Sequence, residues 1–255
     1  MREITATILT NRSLSPELWY LELQPPPEWE TVQPGQFVQL GLGGDRPELL
    51  RRPLSIYQSH PTLGFLYQLV GRGTAVLSGR SPGQQLPVLG PLGRGWQPPA
   101  SARRALLVAG GVGWAALALL SEQLLAQGVQ TDLLVGARNA QTLAALGLDH
   151  RPELRLHLAT DDGSLGHHGM NTELLPELLD STVWDYLAAC GPEPMLRKVA
   201  ALAAEQGLDC EVSLEQRMAC GLGACLSCVI ETTAGRRKVC LDGPVFAARE
   251  VWGES

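Results

Sequence analysis

Apolar residues along this chain follow two different rhythms, one after the other. Through residue 98 they fall in short runs, at 4–9, 18–23, 36–42, 54–58 and 64–70, separated by Pro and Gly turns and without a sustained 3.6-residue period. Runs of that length and spacing predict a small antiparallel β-barrel. Pro34-Gly35 ahead of Gln36-Phe37-Val38-Gln39-Leu40 reads as a turn feeding one of its strands. A break follows at Gln97-Pro98-Pro99-Ala100-Ser101. Beyond it, buried-strand runs at 105–109, 131–135, 154–159 and 183–189 alternate with helical stretches at 114–127, 172–179 and 194–206. That alternation predicts a parallel sheet covered by helices on both faces. The expected organisation is multi-domain β plus α/β: a barrel over 1–98, an α/β nucleotide-type domain over 101–207 and a small cysteine-bearing C-terminal unit over 208–255.

Composition narrows the partners. Charged residues make up 18% of the 255 positions and the net charge is −6, which disfavours nucleic acid or an anionic membrane surface. Residues 105–120 carry no charge, but the stretch is shorter than the roughly 20 residues of a spanning helix and Gly110-Gly111-Val112-Gly113 splits it. Met1-Arg2-Glu3-Ile4-Thr5 lacks the apolar run of a signal peptide, so a cytoplasmic, thiol-reducing location is expected.

The strongest chemical signal is a quartet of cysteines, Cys220, Cys225, Cys228 and Cys240, spaced CxxxxCxxC with eleven residues before the last. A plant-type [2Fe–2S] cluster takes its ligands at this spacing, usually Cys220 and Cys225 on one iron and Cys228 and Cys240 on the other. Gly221 and Gly223 allow the loop to wrap closely and to adopt positive φ, with backbone N–H groups turned toward sulfur. Zinc is the main rival, although structural zinc sites usually pair two short knuckles and only one is present. A disulfide framework fits a reducing compartment poorly.

Several weaker motifs sit at element boundaries. Gly110, Gly111 and Gly113 lie where the first α/β strand turns into its helix, a place that can face a pyrophosphate or simply allow tight packing. Cys190 and Gly191, in Cys190-Gly191-Pro192-Glu193-Pro194-Met195, end a later strand where open α/β sheets bind ligands, and Gly191 leaves room for a nicotinamide ring. In the barrel, Arg52-Pro53-Leu54-Ser55 combines a charge for phosphate with groups suited to a flavin edge. Gly73 and Thr74 follow a strand and open a helical-looking segment, another anion position. His167-His168 reads as a solvated loop rather than a metal pair, and Cys210 as a structural thiol. Arg138 fits either a 2′-phosphate or the surface.

Taken in order, RPLS, GRGT, GGVG and CGPEPM in a barrel followed by an α/β domain resemble the ferredoxin-NAD(P)+ reductase superfamily across residues 1–205. The tail, Ser213-Leu214-Glu215-Gln216-Arg217-Met218-Ala219-Cys220 and then Cys240-Leu241-Asp242-Gly243-Pro244-Val245-Phe246, resembles the electron-transfer subunits of bacterial NAD-linked, class 1B dihydroorotate dehydrogenases. The loop Thr160-Asp161-Asp162-Gly163-Ser164-Leu165-Gly166 is similar to theirs as well. The resemblance implies FAD on Arg52, Pro53, Leu54, Ser55, Leu66, Tyr67, Gln68, Gly73 and Thr74, a [2Fe–2S] cluster on the four cysteines, and NAD(H) as electron acceptor. It also implies an FMN-containing dihydroorotate dehydrogenase partner, two copies of each subunit, and a role in pyrimidine (UMP) biosynthesis. No acid–base or nucleophile constellation is left over for oxidising an organic substrate, so no catalytic residue is expected in this chain. Small subunits of ferredoxin-NADP transhydrogenases or sulfide dehydrogenases carry similar endings, and a zinc-stabilised regulatory subunit is the non-enzymatic alternative.

Overall fold

The computed structural model describes residues 2–25, 29, 31–42, 50–148 and 151–253; Met1 of the N-terminal reading and 254–255 of the tail lie outside the described residues. The first part holds β1 (Arg2–Ser13), β2 (Leu18–Gln24), β3 (Phe37–Leu40), β4 (Arg52–Ser55), β5 (Leu63–Gln68), α1 (Arg72–Ser78) and β6 (Gln85–Leu92). These strands pair antiparallel in the order β4-β3-β6-β1-β2-β5, and the edges β4 and β5 approach each other to give a nearly closed barrel. Alternate residues of β1, Ile4, Ala6 and Ile8, point inward with Leu21, Leu23 and Phe65, as the two-residue period of a strand requires.

Two departures from the sequence pattern have physical reasons. The run expected at 54–58 starts earlier, because Arg52 and Pro53 pair with Leu40 and Gln39; Pro53 is tolerated since β4 lies at the sheet edge. Strand β6 was not anticipated at all. Its Pro87, Gly90 and Pro91 look like a loop, yet it lies between β1 and β3, with a register irregularity on the β3 side that takes up Gly90 and Pro91.

The second part contains β7 (Arg104–Gly110), α2 (Trp114–Ala126), β8 (Gln130–Ala137), α3 (Ala140–Ala144), β9 (Arg155–Thr160), β10 (His167–His168), α4 (Leu175–Ser181), β11 (Tyr186–Cys190) and α5 (Glu193–Glu205). The tail adds β12 (Cys210–Ser213), β13 (Val229–Thr232), β14 (Gly235–Lys238), β15 (Val245–Ala247) and α6 (Ala248–Trp252). One sheet runs β10-β9-β8-β7-β11-β12-β15, parallel except for β15, while β13 and β14 form a hairpin. Tail strands β12 and β15 thus extend the α/β sheet. His167-His168, expected in a loop, forms the short edge strand instead, and His167 Nε2 lies 2.9 Å from Glu173 Oε2.

Helix α2 is apolar nearly all round because it is buried on two sides, against the sheet and against the barrel. Gly128, at φ +77°, follows its last turn in a left-handed conformation suited to glycine. Barrel residues Leu18, Leu66 and Trp96 share a core with Trp114 and Ala115, and the Trp96 indole N–H donates to the Ala116 carbonyl at 2.8 Å. Phe37 and Leu92 pack instead with Val239 and Phe246 of the tail. No helix among the described residues is long and apolar enough to cross a membrane.

Candidate functional site

The barrel opens into a cavity of about 500 Å³. Arg52, Pro53, Leu54 and Ser55 of β4 form one side, and Leu66, Tyr67 and Gln68 from the end of β5 form another. Thr74 reaches the cavity from α1; its hydroxyl donates to the Gly71 carbonyl and accepts the Val70 N–H, both at 3.1 Å, which fixes the start of that helix. Gly73 does not line the cavity. A Cβ there would overlap the Arg52 guanidinium, so glycine makes room for the cation. Arg52 is further held by donating from Nη1 to the Leu50 carbonyl at 2.6 Å. A cation beside an apolar floor and a strand edge bearing a serine hydroxyl fits a flavin nucleotide.

The α/β sheet carries a second cavity of about 960 Å³ at the carboxyl ends of its strands. Strand order reverses at β7, with β8 on one side and β11 on the other, and ligands of open parallel sheets bind at such a point. Gly110, Gly111, Gly113 and Gly191 all line it. A Cβ on Gly113 would overlap the Cys190 carbonyl, and one on Gly110 would lie 2.6 Å from Pro192 Cδ, so these glycines allow the two strand ends to touch. Gly111 differs: its φ is +53° and the space beside it is open, which leaves its backbone accessible. That cradle fits a dinucleotide.

Cys190 is 2% exposed and faces the barrel cavity, and burial pushes its thiol well above the ordinary range. Arg138 lies on the rim of the larger cavity, where Nη1 donates to both Glu17 carboxylate oxygens at 2.9 and 3.0 Å. Both partners are solvent-exposed, so the pair stabilises the fold by at most about 1 kcal/mol.

Sequence reasoning named Gln68 but missed the rest of the junction. Gln68, Val112, Leu214, Glu215 and Gln216 border both cavities. Glu215 keeps accessible surface on this rim, yet the protein packed around it raises its carboxyl above the usual range by desolvation. A signal was available, because Ser213 ends a strand of the parallel sheet and the residues just beyond such an end face the ligand crevice.

The same segment runs on into the cysteine loop. Cys220 is half-buried and Cys225 exposed, whereas Cys228 and Cys240 are buried. The thiols stand in two neighbouring pairs: the Cys225 N–H donates to Cys220 Sγ at 3.4 Å, and the Cys240 N–H to Cys228 Sγ at 3.5 Å. Leu222 N–H also donates to Cys220 Sγ, and Gly223 N–H to Cys240 Sγ, at 3.3 and 3.2 Å. Gly221 and Gly223 reach these positions at φ +71° and +75°. Hydrogen bonds from the Ser227 hydroxyl and its backbone, then from Cys220, bring the Cys225 thiol down to about 6. Burial, followed by the adjoining Cys228 thiol, pushes Cys240 up to about 12.

Two thiol pairs with amides turned toward sulfur fit a two-iron cluster. Cys210 lies outside the quartet, and burial pushes its thiol up to about 12.

Comparison with known proteins bears on the family and the fold. Residues 215–252 match the family described as the iron-sulfur cluster binding domain of dihydroorotate dehydrogenase B. The dihydroorotate dehydrogenase B (NAD(+)), electron transfer subunit of Desulforamulus reducens is 36% identical over 253 residues, covering 96% of this chain and 97% of that protein. Its counterpart from Enterococcus faecalis is 39% identical over 263 residues, covering 96% of each. Among solved structures, an NADH-dependent reduced ferredoxin-NADP oxidoreductase studied for flavin-based electron bifurcation superposes with TM-score 0.87 at 27% identity, over 97% of this chain and 89% of that one. A ferredoxin NADP+ reductase from Neisseria gonorrhoeae with bound FAD and NADP shares the fold, at TM-score 0.68 and 17% identity over 81% of this chain and 92% of that one.

Proposed function

The chain belongs to the family of electron transfer subunits of NAD(+)-dependent dihydroorotate dehydrogenase B, and from that premise we propose that electrons enter at its cysteine loop and leave at its larger cavity. It is an oxidoreductase component whose cofactors are FAD, an iron–sulfur cluster and NAD. When bound, the cluster exchanges single electrons, the flavin converts between single electrons and a pair, and the nicotinamide accepts the pair as a hydride.

The protein's own residues position and shield. Cys220, Cys225, Cys228 and Cys240 hold the irons, and the Leu222 and Gly223 amides offset negative charge on their sulfurs. Arg52 binds a phosphate of FAD, the 53–55 backbone and the Ser55 hydroxyl orient its ring, and Leu66, Tyr67, Gln68, Gly73 and Thr74 complete the site. Gly110, Gly111, Gly113 and Gly191 would admit the dinucleotide to the strand ends, and Cys190 forms part of the barrel-cavity wall beside them.

The observation that carries this reading is continuity. One stretch leaves β12 at Ser213, borders both cavities at Leu214–Gln216, lines the barrel cavity again at Met218 and reaches the first cluster ligand at Cys220.

The partner is a catalytic subunit that holds FMN and oxidises dihydroorotate for pyrimidine (UMP) synthesis in the cytoplasm, two copies of each chain forming the complex. Its docking face is the rim around exposed Cys225, where Leu222, Leu226 and Leu241 are 42%, 58% and 53% exposed. The test is to mix the anaerobically purified protein with the FMN subunit of such an enzyme and follow NAD+ reduction on adding dihydroorotate. NADH formation that needs both chains is expected. Failure to couple, together with NADP+ reduction by reduced ferredoxin, would move the chain to the transhydrogenase reading.

A further inference from the structure

We infer that Gln39 is a hydrogen-bond donor to the iron–sulfur cluster, built into the barrel wall, which raises the cluster's reduction potential. This rests on the iron–sulfur reading of the cysteine loop. On β3, Val38 and Leu40 point into the barrel core, so Gln39 points outward with Phe37, toward the tail. Its side chain is fully buried, and among the described residues neither Oε1 nor Nε2 has a hydrogen-bond partner. An amide buried without partners is destabilising, whereas an apolar side chain of the same size would carry no such penalty. The position therefore calls for a partner from outside the polypeptide.

The surroundings say which one. A Cβ on Gly221 would stand 2.5 Å from Gln39 Cγ and 3.0 Å from Nε2, so the carboxamide lies flush against the loop beside the first cluster ligand. Only glycine permits that approach, and Gly221 also has φ +71°. On its own sheet Gln39 pairs with Pro53, whose side chain has no polar group to offer. The loop's amides already donate to thiol sulfur here, as Leu222 does to Cys220, so the locale is one of sulfur acceptors. A further donor stabilises the more negative, reduced form of a cluster and so raises its potential. Because Pro53 lines the barrel cavity, Gln39 also links the flavin strand to the cluster loop.

The experiment is an EPR-monitored redox titration of the intact protein and of Gln39→Leu, Gln39→Met and Gln39→Glu, with iron, sulfide and FAD content measured alongside. Leu and Met fill the same space without an N–H; Glu, titrated at a pH high enough to ionise it in this buried place, replaces the donor with an anion. The midpoint potential is expected to shift negative in all three, most for Glu, with altered EPR g-values and undiminished FAD. Wild-type midpoint and spectrum in the variants would overturn the inference and leave Gln39 a space-filling residue. Should the apolar variants not retain iron, Gln39→Glu decides by the same criterion. A wild-type protein devoid of iron and sulfide would instead overturn the reading of the loop.

Discussion

The two halves of the cysteine quartet occupy opposite environments. Cys220 and Cys225 sit on an irregular, partly exposed loop, while Cys228 and Cys240 belong to the apolar core shared by Phe37, Val239 and Phe246. The outer thiol of Cys225 is held down near 6 and the inner thiol of Cys240 is pushed up to about 12. One pair is thus part of the fold and the other is part of the surface. A cluster bridging them has one edge anchored in the protein and one edge turned to a partner, which suits a port for electrons.

The comparison can be broken in several ways. The largest effect is expected from Cys240→Ala, which should remove the cluster and, even in cluster-free protein, lower stability by about 1 kcal/mol through the lost buried side chain. Cys225→Ser should remove the cluster but leave the thermal melt of cluster-free protein unchanged; equal melting losses would erase the distinction between the pairs.

Next comes reactivity. In cluster-free protein under denaturant-free conditions, iodoacetamide should label Cys225 with a pH midpoint near 6, because the thiolate forms above the pKa, while Cys240 stays unlabelled at neutral pH. Peptide mapping after a short pulse reads both. A smaller change is expected at the rim: Leu241→Ser should weaken binding of the catalytic partner subunit about tenfold, measured by calorimetry, with the visible spectrum intact.

The smallest concerns a region remote from either pair. Arg151 lies over the rings of Tyr57 and Trp114, 5.7 and 5.4 Å from their centroids, and pairs with Glu122 at 2.6 Å. Arg151→Met should cost about 1 kcal/mol in a denaturant melt without moving cluster content.

How much of this was legible beforehand depends on the range over which each signal acts. The parallel sheet declared itself because each strand and helix carries its own periodicity, and the cluster because its ligand spacing is local. Strand β6 was hidden, since its prolines and glycine mimic a loop and only the neighbouring strands β1 and β3 make it a strand. The tail strands β12 and β15 have four and three residues, too few for a pattern, so their joining of the α/β sheet was invisible. Glu215 gains its meaning from two cavities formed by distant segments. Gln39 looked like one polar residue in an apolar run, and only its packing on Gly221 sets it apart.

The central claim is that electrons enter through the exposed edge of the cluster and leave through the nicotinamide cavity. Cys225→Ser tests it most directly, assayed two ways in the complex with the catalytic partner subunit. Dihydroorotate-dependent NAD+ reduction should fall by at least about a hundredfold, while NADH-to-dye activity, which needs only the flavin and nicotinamide sites, should remain near wild type. Equal loss of both activities would contradict the claim and make the loop a structural support rather than an entry port.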